Sequence, residues 1–181
     1  MNYADIKWCD SGNGPGARVV IFVSGCRNKC PGCFNQETWD FEYGEELSLN
    51  IKLKIINWLN EHKYIDGVTI MGGEPMDPKN VEGVSSLIHF IREYSPSKTI
   101  WLYTGYNYES LIERSKEYAA IYVNATNYIL KNIDVLVDGP FIIDKKNIKL
   151  IFRGSSNQRI IDMKQTISSG DIVLSKYNNI V

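Results

Sequence analysis

Apolar positions come in short blocks whose period changes along the chain. Arg18-Val19-Val20-Ile21-Phe22-Val23, preceded by the turn signals Asn13-Gly14-Pro15-Gly16, is rich in β-branched residues and predicts a strand over residues 18–24. Residues 1–17 read as a polar, Gly-rich segment ahead of it. Residues 25–49 keep no sustained period, which predicts a long loop with at most short helical pieces. Ile51, Ile55, Trp58 and Leu59 then recur at helical spacing, and residues 67–71 form a short run suited to a buried strand. Val81, Val84, Leu87, Ile88 and Ile91 share a second helical face, with Asp77-Pro78 ahead of it and Ser95-Pro96 ending it. A strand follows over residues 99–103. A third helix is expected from near Tyr108, containing Leu111, Ile112 and Ser115, while residues 119–131 suit either a helix or a strand. Residues 133–137 read as a strand stopped by Asp138-Gly139-Pro140. A polar stretch, the short run Leu150-Ile151-Phe152 and a weakly patterned tail over residues 163–181 complete the chain.

Strands alternating with helices imply an α/β fold of mostly parallel strands joined by right-handed crossovers, either an open sheet or a partial (β/α) barrel. No internal repeat is present, and 181 residues suit a single domain over residues 1–181. Twenty basic against twenty-one acidic residues give a net charge of -1, which argues against a nucleic-acid partner. The apolar runs are too short to span a bilayer and the first residues carry no signal pattern, so no membrane association and a cytoplasmic location are expected.

Three of the four cysteines lie in Gly25-Cys26-Arg27-Asn28-Lys29-Cys30-Pro31-Gly32-Cys33. Such packing makes a poor disulfide framework but a good ligand loop for a reducing compartment. Three thiols on a four-iron cluster leave one iron open to a substrate or cofactor, whereas an electron-transfer ferredoxin would want four thiolates. The alternatives are a closed structural zinc site, with Cys9, His62 or His89 as a further ligand, or unliganded core cysteines. Arg27, Asn28 and Lys29 make the loop too polar for the last of these. Met71-Gly72-Gly73-Glu74-Pro75 follows the second predicted strand; its glycines permit close backbone approach and its carboxylate can meet an ammonium group. Cys26, Gly72, Thr104 and Asp138 each follow a predicted strand and so are expected on one rim, where ligand chemistry collects in parallel α/β folds.

The C-x3-C-x2-C spacing after the first predicted strand, with Gly72-Gly73-Glu74-Pro75 after the second, resembles the radical S-adenosylmethionine superfamily. Many members carry an aromatic residue just before the third cysteine; here that place is Gly32, and Phe34 follows Cys33 instead. Asn13-Gly14-Pro15-Gly16-Ala17-Arg18, Cys33-Phe34-Asn35, Trp101-Leu102-Tyr103-Thr104-Gly105-Tyr106, Val135-Leu136-Val137-Asp138-Gly139-Pro140-Phe141 and Arg153-Gly154-Ser155-Ser156-Asn157-Gln158-Arg159 narrow the likeness. Together they are similar to the activating enzymes of anaerobic ribonucleoside-triphosphate reductase, within the glycyl-radical-enzyme activase group.

The resemblance implies a partial barrel of the radical S-adenosylmethionine type. It implies one 4Fe-4S cluster per chain on Cys26, Cys30 and Cys33, and S-adenosylmethionine against Gly32, Cys33, Phe34, Gly72, Gly73 and Glu74, with no catalytic residue beyond these sites. Reductive cleavage of the cofactor would yield a 5′-deoxyadenosyl radical that takes a Cα hydrogen from a glycine of the large reductase subunit. A flavodoxin-type protein would donate the electron. A barrel this small has an open side, which a macromolecular substrate could itself cover. A radical enzyme acting on a small molecule, such as a modified-nucleoside precursor, and a non-catalytic zinc module are the competing readings. Gly73→Val is expected to harm cofactor binding more than cluster assembly. Read without the resemblance, Asn13 to Gly16 is first a turn, and Thr104 to Tyr106 and Asp138-Gly139 are first strand exits with capping roles, while the segment from Arg153 to Arg159 reads equally as a polar turn or as a contact with cofactor or partner.

Overall fold

The computed structural model describes residues 1–114 and 118–180. A seven-stranded sheet has the order β3-β1-β2-β4-β5-β6-β7. At its centre β2 (Ala17–Val23), β4 (Ile65–Gly72), β5 (Thr99–Tyr103) and β6 (Val135–Asp138) run parallel. The flanks are antiparallel: β1 (Asn2–Asp10) pairs β2 and the two-residue β3 (Glu45–Glu46), and β7 (Arg159–Asp162) pairs β6. Helices α1 (Leu49–Glu61), α2 (Val81–Tyr94), α3 (Tyr108–Arg114) and α4 (Ala120–Asn132) fall between the parallel strands, and α5 (Met163–Ser169) follows β7. Ser115, expected in the third helix, lies outside the described residues.

The parallel centre follows the expected alternation of strands and helices. The stretch left open over residues 119–131 is helical, burying Tyr122, Ala125, Ile129 and Leu130 on one side of α4. Two expectations are corrected. The polar start is a strand rather than a turn segment: β1 buries only Ile6, so its backbone pairing carries no apolar signature. The short run Leu150-Ile151-Phe152 lies in a loop, where Phe152 takes a left-handed φ of 60°. The tail is ordered, because Asp162 caps α5 by accepting from the Gln165 N–H and Gly170, at φ 81°, ends it.

Period-2 alternation gives the sheet two faces. Val19, Ile21, Val68, Ile70, Ile100 and Leu102 join the core with the apolar stripes of α1, α2 and α4. On the other face Trp101, Val137 and Ile160 gather Tyr103, Phe152 and Tyr177, so the loop after β6 and the tail cover what no helix covers. Arg18 is fully buried there, 5.6 Å from the Trp101 ring centre. Its guanidinium donates to Thr69 Oγ1 (2.8 Å), Thr99 Oγ1 (3.0 Å) and the carbonyls of Pro15 (3.3 Å), Val68 (2.7 Å) and Thr99 (3.1 Å). Burial among neutral acceptors brings its pKa down to about 10. The motif from Asn13 to Arg18 is therefore a structural brace. Arg18→Met should strip donors from five contacts, two of them buried, and cost on the order of 3 kcal/mol, read as a lowered denaturant midpoint.

Among the described residues, no helix is long and apolar enough to cross a membrane.

Candidate functional site

Because β2, β4, β5 and β6 run parallel, their carboxyl ends meet on one rim, and the expected strand exits converge there. A cavity of about 450 Å³ opens at this rim, within the roughly 300–1,000 Å³ typical of ligand sites. Cys26, Cys30, Cys33, Phe34, Gly72, Gly73 and Glu74 all line it. Gly32 does not: it is exposed at φ 73°, and a Cβ there would lie 2.8 Å from Ile143 Cδ1. Thr104, Gly105 and Gly139 complete the strand-end wall, while Asp138 sits behind it.

The cysteine loop is zipped to the β4 exit. The Gly73 N–H donates to Val23 O (2.7 Å) and the Glu74 N–H to Gly25 O (2.8 Å). Asn80, buried ahead of α2, reaches with its side-chain amide the carbonyls of Ser24 (2.9 Å), Gly25 (3.2 Å) and Glu74 (3.0 Å). A Cβ on Gly73 would stand 2.7 Å from Gly25 O and 3.0 Å from Thr38 O. The close approach that demands glycine here is therefore to the chain's own cysteine loop, which changes the expected effect of Gly73→Val.

Glu74 is 1% exposed. Its Oε1 accepts from the Met76 N–H (2.9 Å) and Thr104 Oγ1 (2.7 Å), and its Oε2 from the Gly105 N–H (2.8 Å) and Asn28 Nδ2 (2.8 Å). Burial pushes its carboxyl above the usual carboxylate range, and these four donors offset only part of that rise. The Cys26 thiol is pushed up to about 11 by burial, and Cys30 is raised for the same reason. These two free thiols are thus held protonated at neutral pH, and a bound cation would have to displace the proton.

The segment from Arg153 to Arg159 acts mainly as a brace. Gln158 Oε1 accepts from the N–H groups of Gly154 (2.9 Å) and Ser155 (3.1 Å), while its Nε2 donates to Gly139 O (3.1 Å). Arg153 donates to Gln158 O (2.7 Å) and Asn178 Oδ1 (3.1 Å), tying the tail to the cavity wall. Arg159 joins the buried Asp138 to Glu109 (2.9 and 2.7 Å). Arg153, Gly154 and Gln158 line the cavity; Arg159 does not.

The further zinc ligands considered above are elsewhere. Cys9 is exposed on β1, His62 stacks on Trp58 with ring centres 3.8 Å apart, and His89 meets Tyr128; none lines the cavity. Among the described residues, no three His, Cys, Asp or Glu side chains converge closely enough to share one metal ion. Three partly buried thiols around a ligand-sized space suit an inorganic cluster better than a single tetrahedral ion. Sequence reasoning missed Asn28 and Asn80, whose amides look like ordinary loop residues until their carbonyl and carboxylate partners are known.

The family described as 4Fe-4S single cluster domain matches residues 12–161. The chain is 39% identical over 162 residues to the anaerobic ribonucleoside-triphosphate reductase-activating protein of Enterobacteria phage T4, covering 88% of this chain and 93% of that protein. The protein of the same name from Escherichia coli K12 is 39% identical over 159 residues, covering 87% and 96%. That from Pasteurella multocida is 33% identical over 166 residues, covering 91% and 99%.

Proposed function

Because the chain belongs to the family of anaerobic ribonucleoside-triphosphate reductase-activating proteins, with a 4Fe-4S single cluster domain, we propose that it activates such a reductase by reductive cleavage of S-adenosylmethionine. The observation that carries this reading is the set of three thiols facing one cavity at the strand-end rim, with no further Cys or His among the described residues lining it. A 4Fe-4S cluster held there by Cys26, Cys30 and Cys33, one per chain, would supply the electron for reductive cleavage of S-adenosylmethionine, the chemistry needed to form a glycyl radical on the large reductase subunit.

The rest of the site's work falls to the chain's own residues. Cys26, Cys30 and Cys33 would hold the cluster through three thiolates, leaving one iron open to the cofactor. Gly72 and Gly73 line the cavity at the β4 exit, where their backbone carbonyls would meet the methionine ammonium; each is glycine because the chain's own backbone lies too close for a Cβ, which on Gly72, at φ 107°, would stand 2.7 Å from Phe22 Cα. Phe34, 80% exposed at the cavity, offers an aromatic face for the cofactor, and Gly32 permits the turn before Cys33. The loop after β6 shields the cavity from one side, leaving an opening for a polypeptide substrate. We read residues 1–181 as one domain of the partial-barrel radical S-adenosylmethionine type, working in the cytoplasm with a flavodoxin-type electron donor.

Anaerobic iron and sulfide analysis, followed by a dithionite-driven cleavage assay, tests this reading. About four irons and four sulfides per chain, with methionine and 5′-deoxyadenosine released, are expected. Stoichiometric zinc without cofactor cleavage would establish the zinc module instead.

A further inference from the structure

We propose that Glu74 is a positioning residue: through Asn28 its buried carboxylate fixes the cysteine loop against the β5 exit, and it does not itself contact the cofactor's ammonium. This rests on the reading that the cavity holds the cluster and S-adenosylmethionine.

A carboxylate offers about four lone-pair sites. All four are taken inside the protein, by Asn28 Nδ2 (2.8 Å), the Gly105 N–H (2.8 Å), Thr104 Oγ1 (2.7 Å) and the Met76 N–H (2.9 Å). An ammonium could reach either oxygen only by displacing one of them, and displacing Gly105 or Met76 would orphan a backbone N–H. The donors come from three places: Asn28 lies between Cys26 and Cys30, Thr104 and Gly105 follow β5, and Met76 lies beyond the β4 exit. Glu74 is thus the junction at which a residue inside the ligand loop is referenced to two strand ends. Gly105 belongs to the same junction, since a Cβ on it would collide with Asn28 Nδ2 and stand 3.3 Å from Glu74 Oε2. Four short contacts on a 1% exposed group also make the junction stiff, which a ligand loop needs if its thiols are to keep their spacing.

The test uses the full chain reconstituted anaerobically as parent, Asn28→Asp, Glu74→Gln and the double variant. Iron and sulfide per chain, S-adenosylmethionine affinity and far-UV circular dichroism are measured on each. Asn28→Asp sets two carboxylates against each other and should lower cofactor affinity about tenfold, with loss of iron on desalting and an unchanged dichroism spectrum. In the double variant residue 74 carries no charge, so the repulsion is removed and iron retention and affinity should recover severalfold over Asn28→Asp alone, short of the parent because the new amide NH2 faces a backbone N–H that the carboxylate had accepted. A general stabilising role would not produce that partner-specific rescue. If Asn28→Asp matches the parent, or if Glu74→Gln weakens cofactor binding and the double variant binds no better than Asn28→Asp, the positioning role is overturned. A parent that loads no cluster would sink the cavity reading and this proposal together; a loaded parent with variants indifferent to residue 28 would sink this proposal alone.

Discussion

Single replacement of Cys26, Cys30 or Cys33 by serine is expected to abolish the iron-sulfur chromophore and cofactor cleavage, while Cys9→Ser leaves both near parent level. The three thiols line one cavity, and Cys9 is exposed on β1 away from it. Disturbing residues that merely support metal ligands costs roughly 10–100-fold in affinity or activity, so removal of a ligand should exceed that. Iron per chain and the visible absorption of the four variants decide the matter. Loss of the chromophore in Cys9→Ser alone would replace the three-cysteine site with a four-cysteine one.

Gly73→Val should abolish cluster assembly and cofactor binding together. The added Cβ alone would meet Gly25 O and Thr38 O, and Thr38 O already accepts the Gly25 N–H at 2.8 Å. Relief requires prying the cysteine loop off β4, where the Gly73 and Glu74 N–H groups hold it. Overpacking of this kind costs about 1–3 kcal/mol. Iron content and thermal midpoint should both fall, and Gly73→Ala should show the same pattern more weakly. A variant that keeps full iron and loses only cofactor affinity would restore the simpler picture, in which Gly73 clears space for the ligand alone.

The difference between those two pictures marks how far the sequence could be read. The parallel centre was legible because its strands bury apolar residues from end to end and α2 carries a strict stripe through Val81, Val84, Leu87, Ile88 and Ile91. The rim was legible for the same reason: once four strands run parallel, whatever follows each of them converges. β1 was not, since one buried side chain in nine residues leaves no pattern and its place is set by pairing with β2. Nor was α5, whose seven residues rely on the Asp162 cap and Gly170 more than on an apolar face.

At the site, residue types were legible and their duties were not. The cysteine spacing pointed to cluster ligands, and the two glycines to close backbone approach. That the approach at Gly73 is to Gly25, and that the Glu74 carboxylate is filled by Asn28, Thr104, Gly105 and Met76, depends on contacts that lie mostly between residues far apart in the chain. The same holds for Arg159, whose three-way link to Asp138 and Glu109 joins β7 to β6 and α3.

The most direct measurement follows one hydrogen atom. On the proposed mechanism a primary carbon radical would react before it could diffuse between molecules, so the reductase glycine would have to enter the rim and give up its hydrogen directly. The reductase is prepared with deuterated glycine and mixed anaerobically with the reduced protein and unlabelled S-adenosylmethionine, and the 5′-deoxyadenosine is analysed by mass spectrometry. Deuterium in that product, together with a glycyl radical signal in the reductase, is the expected result; cofactor cleavage with neither, given a competent reductase and electron donor, would contradict it and favour a small-molecule substrate.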